Sequence, residues 1–475
     1  MSMMIEIMLL GAIPIVLVMF AVWPARRAAV AGFLFCTMFL PVKRGWVLEG
    51  LPDYDKVTAG SLAVLLGILI FDGGRLLKFK PRWFDWAMLM LLVGPIITAV
   101  SNKIGGGFGS SVYGGATITL DWLIAWGVPY FVGRIYFTKL EHLKELAIIL
   151  FTAGLIYAPL CLYEIRFSPQ LNAYVYGYYQ SQFVMTMRLS GFRPMVFMNH
   201  GLMVGLFMTV CALLGLYLWR CGSVKKLYGM PMGWLVGGML VTAVLCKSTG
   251  AIGLLLMGLG VFAAMQYGRL KVAMLALLLV APLYMATRAS GVWTGRSLVE
   301  WITPIVGEDR AGSLEGRMGN EDLFVTKARE RIIWGWSAWD RFQVTDDRGV
   351  KMTTPDGLWV IVLGTAGLAG LSAVTFLLLY PGFLAWWRFP REVLLHPDVA
   401  PVTGLVMVLT IWMIDNIPNA MPHPAFIVAA GALPTAMPRL AKRAPARKPA
   451  AAGAPLHRPP RAPQRSVQKS VGLPQ

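Results

Sequence analysis

Apolar runs of bilayer-crossing length recur from one end of this chain to the other, and that recurrence restricts it to a helical membrane fold. Crossing a bilayer core as a helix takes about 20 mostly apolar residues. Runs of this kind lie at 5–23, 28–41, 57–71, 83–101, 117–137, 145–163, 197–219, 232–247, 249–266, 270–287, 358–387, 400–418 and 421–437. They predict an all-α polytopic membrane protein with about 12–13 transmembrane helices. Composition agrees: 57% of the 475 residues are hydrophobic and only 14% are charged, far from a soluble average.

One segment interrupts the series. Residues 288–356 carry ten basic residues, eight of them arginine, against eleven acids. A loop of about 70 residues between membrane helices is uncommon unless it has a task. Arginine's planar fork grips phosphate or carboxylate at two points, which lysine does not. The chain therefore divides into an N-terminal bundle (1–287), a large, partly helical loop (288–356), C-terminal helices (357–437) and a basic tail (438–475). From Arg439 onward the tail has nine basic residues and no acid. Its Ala, Pro and Arg content offers no apolar face, so disorder is expected. Such a tail meets anionic lipid headgroups. The net charge of +19 is not read as nucleic-acid binding, because no base-stacking or groove-reading motif accompanies it.

Loop charge sets orientation. Arg26-Arg27, Arg75/Lys78/Lys80/Arg82, Arg220/Lys225/Lys226, Arg269/Lys271, Arg388/Arg391 and the tail fall on one side, expected to be cytoplasmic. The loops 42–56, 102–116, 164–196 and 288–356 fall on the other, away from nucleotide-activated donors. The five cysteines avoid those loops, so no disulfide framework is implied. No His/Cys/carboxylate cluster has metal-ligand spacing, and no cofactor is expected.

Within the large loop, Asn320-Glu321-Asp322 reads as a helix start, with the helix running to about Trp334. It would carry Lys327, Arg329 and Arg331 on a surface backed by Leu323, Phe324, Ala328 and Ile332. Trp334, Trp336 and Trp339 suit a membrane interface. The 164–196 loop holds Tyr174, Tyr176, Tyr178 and Tyr179, as sugar-stacking rings or as an interfacial belt, followed by Arg188, Arg193 and His200. Gly105-Gly106-Gly107 reads as a flexible link. Ionisable residues inside spans are costly. Asp121, Arg134, Glu164 and Asp415 are of this kind, and internal ion pairs, such as Glu164 with Arg166, are the simplest expectation. Asp415-Asn416, with Asn419 and His423, could line a cavity near the large loop.

Three features follow in order: Ser313-x-x-x-Arg317, a helix ending in Trp334-Gly335-Trp336, and Asp356-Gly357 leading to Leu363-Gly364-x-x-Gly367-Leu368-Ala369-Gly370. With Arg188-x-x-Gly191-x-x-Pro194 in the preceding loop, this layout resembles the O-antigen ligase and O-antigen polymerase family of bacterial membrane glycosyltransferases. The resemblance implies transfer of a glycan from an undecaprenyl-diphosphate donor to a glycan or lipid acceptor hydroxyl, at the periplasmic face of the inner membrane, alongside other polysaccharide assembly proteins. Where the family has a His-Asn pair this chain has Pro355-Asp356-Gly357, which implies a polymerase-like enzyme rather than a lipid A ligase. Arg317 is then the expected catalytic cation and Asp356 the base. Arg188, Arg193, Arg329, Arg331, His200 and Asp415 are the expected substrate-binding residues. Each has a simpler reading. Arg317 would pair with Glu315 or Glu321, Asp356 would cap the next helix, and His200 would be a packed polar residue. A transporter, or a scaffold subunit of an export complex, is the alternative from another class.

Overall fold

The computed structural model describes residues 3–103, 108–188 and 191–440. It is 74% helical with almost no sheet. In hydrocarbon every peptide group must find its partner within its own segment, which a helix provides. The helices before the large loop are α1 (Met3–Val22), α2 (Ala25–Phe39), α3 (Lys56–Asp72), α4 (Trp86–Ser101), α5 (Phe108–Trp122), α6 (Val128–Tyr136), α7 (Leu140–Phe167), α8 (Leu171–Tyr176), α9 (Gly201–Arg220), α10 (Met232–Leu245), α11 (Thr249–Gln266) and α12 (Val272–Ser290). The loop holds α13 (Arg296–Val306), α14 (Glu308–Arg329) and α15 (Trp339–Phe342). Then come α16 (Leu358–Arg388), α17 (Arg391–Leu394), α18 (Ala400–Asp415) and α19 (Pro424–Leu440). Among the described residues eight helices are long and apolar enough to cross a membrane, and three shorter ones are also apolar. The architecture is consistent with a multi-pass membrane protein.

The apolar runs foretold most helices to within a few residues, with two departures. The run 117–137 is a broken rod, in which α5 and α6 are joined through a π-helical turn at Leu123–Gly127. The expected 102–116 loop is mostly helix, since α5 begins at Phe108. Gly105, Gly106, Gly107 and the tail from residue 441 lie outside the described residues.

The core forms around α9, whose most apolar window is 94% buried. A helix apolar on all sides belongs inside a bundle, and α7, α10, α11 and α18 enclose it. Small residues bring α6 and α19 together: a Cβ at Gly133 would lie 2.2 Å from the Val428 carbonyl oxygen, and one at Gly431 2.3 Å from that of Tyr130. Arg134 is paired, as expected of a cation in a span, through two hydrogen bonds to Asp85 at 2.7 and 2.8 Å. Glu164 is different. It forms no ion pair with Arg166 and instead accepts backbone N–H groups from Leu171, Met195 and Val196 at 3.0, 2.8 and 2.7 Å.

The large loop is clamped to the bundle at two places. The first is Arg288, buried at the end of α12. It donates to the Met318 carbonyl at 2.8 Å and pairs with Glu321 at 3.3 Å and Asp322 at 2.8 Å. Glu321 also accepts from the Tyr284 hydroxyl at 2.7 Å and Trp359 Nε1 at 3.3 Å. Burial raises the Glu321 carboxyl, and the Tyr284 hydroxyl and the Arg288 charge oppose that rise. This clamp explains a correction: the loop helix starts at Glu308, twelve residues before the expected Asn320, and ends at Arg329 rather than near Trp334. Gly312, Gly316 and Gly319 lower its intrinsic propensity, but its anchored face overrides them.

Removing one partner of a buried pair leaves an uncompensated charge, at a cost of about 3–5 kcal/mol. Arg288→Met should therefore lower the thermal midpoint in detergent well below that of wild type. Arg288→Met/Glu321→Gln should recover part of the loss, because glutamine keeps an acceptor for Tyr284 and Trp359. A double variant no better than the single would show that the charge of Glu321 is not the cause.

The second clamp is a break in α16. Gly367 has φ 64° and ψ −164°, which interrupts the ladder, and the loop segment 332–337 supplies the missing partners. Trp336 N donates to the Gly364 carbonyl at 2.7 Å, and Ser337 N to that of Thr365 at 2.9 Å. Leu368 N and Ala369 N donate to Ile332 and Ile333 at 2.7 and 3.1 Å. Thr98 and Asn102 at the end of α4 then donate to the Trp334 and Gly335 carbonyls at 2.8 and 2.9 Å. The two glycine motifs of the sequence thus form one joint.

Candidate functional site

Polar and charged side chains collect where α14 meets the turn between α18 and α19. Arg317 lies one helical turn before Glu321, on the same side of α14. Its Nη1 donates to the Pro418 carbonyl at 3.2 Å, and its Nε lies 3.6 Å from Asp356 Oδ2. It is not paired with Glu315, and Glu321 is occupied by Arg288. The Arg317 and Asp356 side chains are 34% and 51% exposed. Such a loose, solvated pair contributes little to stability and leaves both groups open to a ligand.

The local backbone dictates this meeting. Asp356 is not the helix cap: Gly357 holds that position, without a side-chain cap. A Cβ there would lie 2.0 Å from the Ile417 carbonyl oxygen, so only glycine lets the chain pass the 416–419 turn. Leu358 N donates to the Asn419 carbonyl at 2.9 Å, which fixes that turn beneath Asp356. Asn419 Nδ2 donates to Asp415 Oδ1 at 3.0 Å. Asp415 Oδ2, both amide atoms of Asn416 and both ring nitrogens of His423 are buried with no protein partner. The His423 ring packs against Phe207 and Phe426, with centroids at 5.2 and 4.4 Å. Buried polar atoms are nearly always satisfied, so this cluster is suited to water or a ligand.

His200 caps α9, its Nδ1 accepting from Leu202 N at 3.1 Å. Burial and the charges of Arg193, Lys43, Arg317 and Arg188 push its imidazole down to about 4. Arg193 is buried, with its stem against Gly201 and its Nη2 3.4 Å from the Lys247 carbonyl. Glu164 sets that segment through Met195 and Val196. Arg188 stands in a two-residue hairpin strand opposite Gly191. A histidine held below its ordinary 6.5 contributes stability that is complete above 6.5 and is lost as pH falls toward 4. Thermal midpoints should therefore drop over that interval, and His200→Asn, which retains a capping side chain, should flatten the drop. An unchanged slope would remove His200 as its source.

The expected site residues thus separate into two groups. Arg317, Asp356, Asp415, Arg188, Arg193 and His200 gather at one end of the bundle. Arg329 and Arg331 do not join them. Arg329 follows Arg317 by twelve residues, about 18 Å along the helix, and donates to the Ala289 carbonyl at 3.0 Å. Arg331 hydrogen-bonds Asn102 and lies over the Trp336 ring at 4.8 Å. Both tie the loop down. The sequence reading gave no role to Lys43, Arg44 or Lys56. Lys43 and Arg44 line a cleft of about 560 Å³ with Tyr176 and Tyr178, and Arg44 stacks on Tyr178 at 4.7 Å. The buried Lys56 donates to the Thr37 and Phe197 carbonyls at 3.1 and 3.2 Å. A lysine opening an apolar run after Asp53-Tyr54-Asp55 was the available signal. Among the described residues no group of three or more His, Cys, Asp or Glu is placed to hold a metal ion.

This assembly is a helical bundle, consistent with a multi-pass membrane protein, that carries a part-buried polar site with Arg317 and Asp356 beside it. No family model matches the chain, and no curated protein matches it either.

Proposed function

We propose that this protein is a membrane glycosyltransferase of the O-antigen ligase and polymerase type, with polymerase the favoured form. It would sit in a bacterial inner membrane with about 12–13 crossings, the loop 288–356 in the periplasm and the tail in the cytoplasm. The observation that carries the reading is the Arg317–Asp356 pair, Nε to Oδ2 at 3.6 Å, set against the turn that holds Asp415, Asn416 and Asn419, where Arg317 also donates to the Pro418 carbonyl. In the proposed reaction an acceptor hydroxyl oxygen bonds to the anomeric carbon of a lipid-linked glycan. The bond from that carbon to the undecaprenyl diphosphate breaks, and the diphosphate keeps the electron pair. The hydroxyl proton passes to Asp356. Negative charge grows on the departing diphosphate, and guanidinium donors already in place stabilise it without reorganisation. The cleft with Tyr176, Tyr178, Lys43 and Arg44 would take the acceptor, since rings and cations suit a polar glycan.

Mass spectrometry of lipid-linked glycans in cells lacking the protein tests the class. Accumulated single-repeat diphosphate lipid supports a polymerase, and accumulated long chains point to a ligase. No change in any lipid-linked pool would overturn the transferase reading in favour of a transporter or scaffold.

A further inference from the structure

A second cavity lies at the opposite end of the bundle and has no part in the chemistry above. Helix α7 connects the two places. Its last turns carry Glu164, which fixes the segment beside Arg193. Glu145, nineteen residues earlier and so about 28 Å along the axis, stands at the mouth of the cavity. That distance approaches the thickness of a bilayer's hydrocarbon core, about 30 Å.

The cavity measures about 730 Å³ and opens between α1, α2 and α7, a size typical of built ligand sites. Its walls are apolar, with Met19, Leu34, Phe35, Met38, Ile148 and Ile149 among them. Its rim is charged. Arg26 and Arg27 both pair with Glu145, so one carboxylate serves two guanidiniums. The lining cations Arg26, Arg27 and Lys144 against the lining acids Glu141 and Glu145 leave a net charge of three minus two, or +1. Arg27 is 58% exposed and reachable from outside. Trp23, also on the rim, is 46% exposed, and indole rings favour the level of lipid headgroups.

An empty trough in hydrocarbon forfeits its dispersion contacts, so lipid tails fill it whatever their headgroup. The rim then selects the headgroup. We propose that this cavity binds an anionic phospholipid of the surrounding bilayer, its acyl chains between α1, α2 and α7 and its phosphate at Arg26 and Arg27. A free phosphate would leave the apolar walls uncovered, and a zwitterionic headgroup would bring no net charge to the cationic rim. The site is independent of the glycosyl-transfer reading and stands even if that reading fails.

The test uses the full chain in nanodiscs of equal phosphatidylglycerol and phosphatidylcholine, with photoactivatable forms of each lipid. Wild type should crosslink preferentially to phosphatidylglycerol, at residues 26–39 and 141–156. Arg26→Gln/Arg27→Gln should reduce that preference by about tenfold. Glu145→Gln should increase it, because the competing carboxylate is gone. Ala31→Trp should abolish crosslinking of both lipids there by filling the trough, with gel-filtration behaviour unchanged. If the double-arginine variant does not fold, the opposite response of Glu145→Gln still decides. Equal labelling by the two lipids in wild type, or a preference unaffected by Arg26→Gln/Arg27→Gln and Glu145→Gln, would overturn the proposal.

Discussion

Arg317→Ala is expected to lower glycan transfer by about a hundred- to a thousandfold, the usual loss when a donor aimed at developing charge is removed. Membrane levels of the protein should stay normal. The reason for both outcomes lies in its contacts. Arg317 makes one hydrogen bond to the Pro418 carbonyl and a loose pair with a half-exposed Asp356, neither of which holds the fold. The helix that bears it is anchored one turn away through Glu321 and Arg288. Arg317→Lys should recover only a small part of the activity, since a point charge cannot reproduce the two-pronged grip on a diphosphate. The measurement is the single-repeat lipid-linked pool in cells carrying each variant at matched protein level. If Arg317→Ala restored polymer length as well as wild type does, this arginine would have no part in transfer.

Substitution at the joint between loop and α16 should have the largest structural effect. Gly367 combines positive φ with extended ψ, a region nearly closed to other residues and costing about 1–3 kcal/mol each time one is held there. A Cβ at Gly367 would also lie 2.2 Å from the Ile333 carbonyl oxygen, and one at Gly335 2.6 Å from Gly367 N. Neither clash can be relieved by moving a side chain, because both neighbours are backbone. Gly367→Ala and Gly335→Ala should each undock the 332–337 segment. Hydrogen exchange would then rise at the amides of Trp336, Ser337, Leu368 and Ala369, while α9 stays protected. New protease cuts are expected between α14 and α16. Protection at those four amides equal to wild type would show that the joint tolerates a side chain.

The helices were legible because hydrophobic length reports them directly; the run 249–266 and helix α11 share both ends. The loop was harder. Its helix follows Gly307, where φ of 84° sets the turn, and three glycines within it hide its periodicity. Arg329 and Arg331 looked like further members of the cationic group, because spacing alone does not reveal that the helix stops between them. Once it stops, Arg331 turns toward Asn102. Arg317 and Asp356 were legible separately, from the Ser313-x-x-x-Arg317 motif and from the Asp356-Gly357 step after the loop, but their meeting depends on Gly357 passing the Ile417 carbonyl, a contact that only the folded chain contains. Lys43 and Arg44 looked like ordinary loop charges, since their place in the cleft with Tyr176 and Tyr178 comes from the fold, not from sequence distance.

The break in α16 also bears on how this protein is made. A membrane helix usually enters the bilayer with its hydrogen bonds already closed, but the amides of Leu368 and Ala369 must wait for the carbonyls of Ile332 and Ile333. Those carbonyls lie about 36 residues upstream, and closing a loop of that length costs little more than closing one half as long. Ile332 and Ile333 precede α16 in the chain, so both carbonyls are synthesised before the amides that need them. The hydrogen-bond ladder of α16 is therefore completed by a segment outside the helix, so that the helix and the loop before it form one unit. A chain in which 332–337 is displaced would leave α16 with its ladder open at Gly364, Thr365, Leu368 and Ala369, a cost that hydrocarbon makes severe.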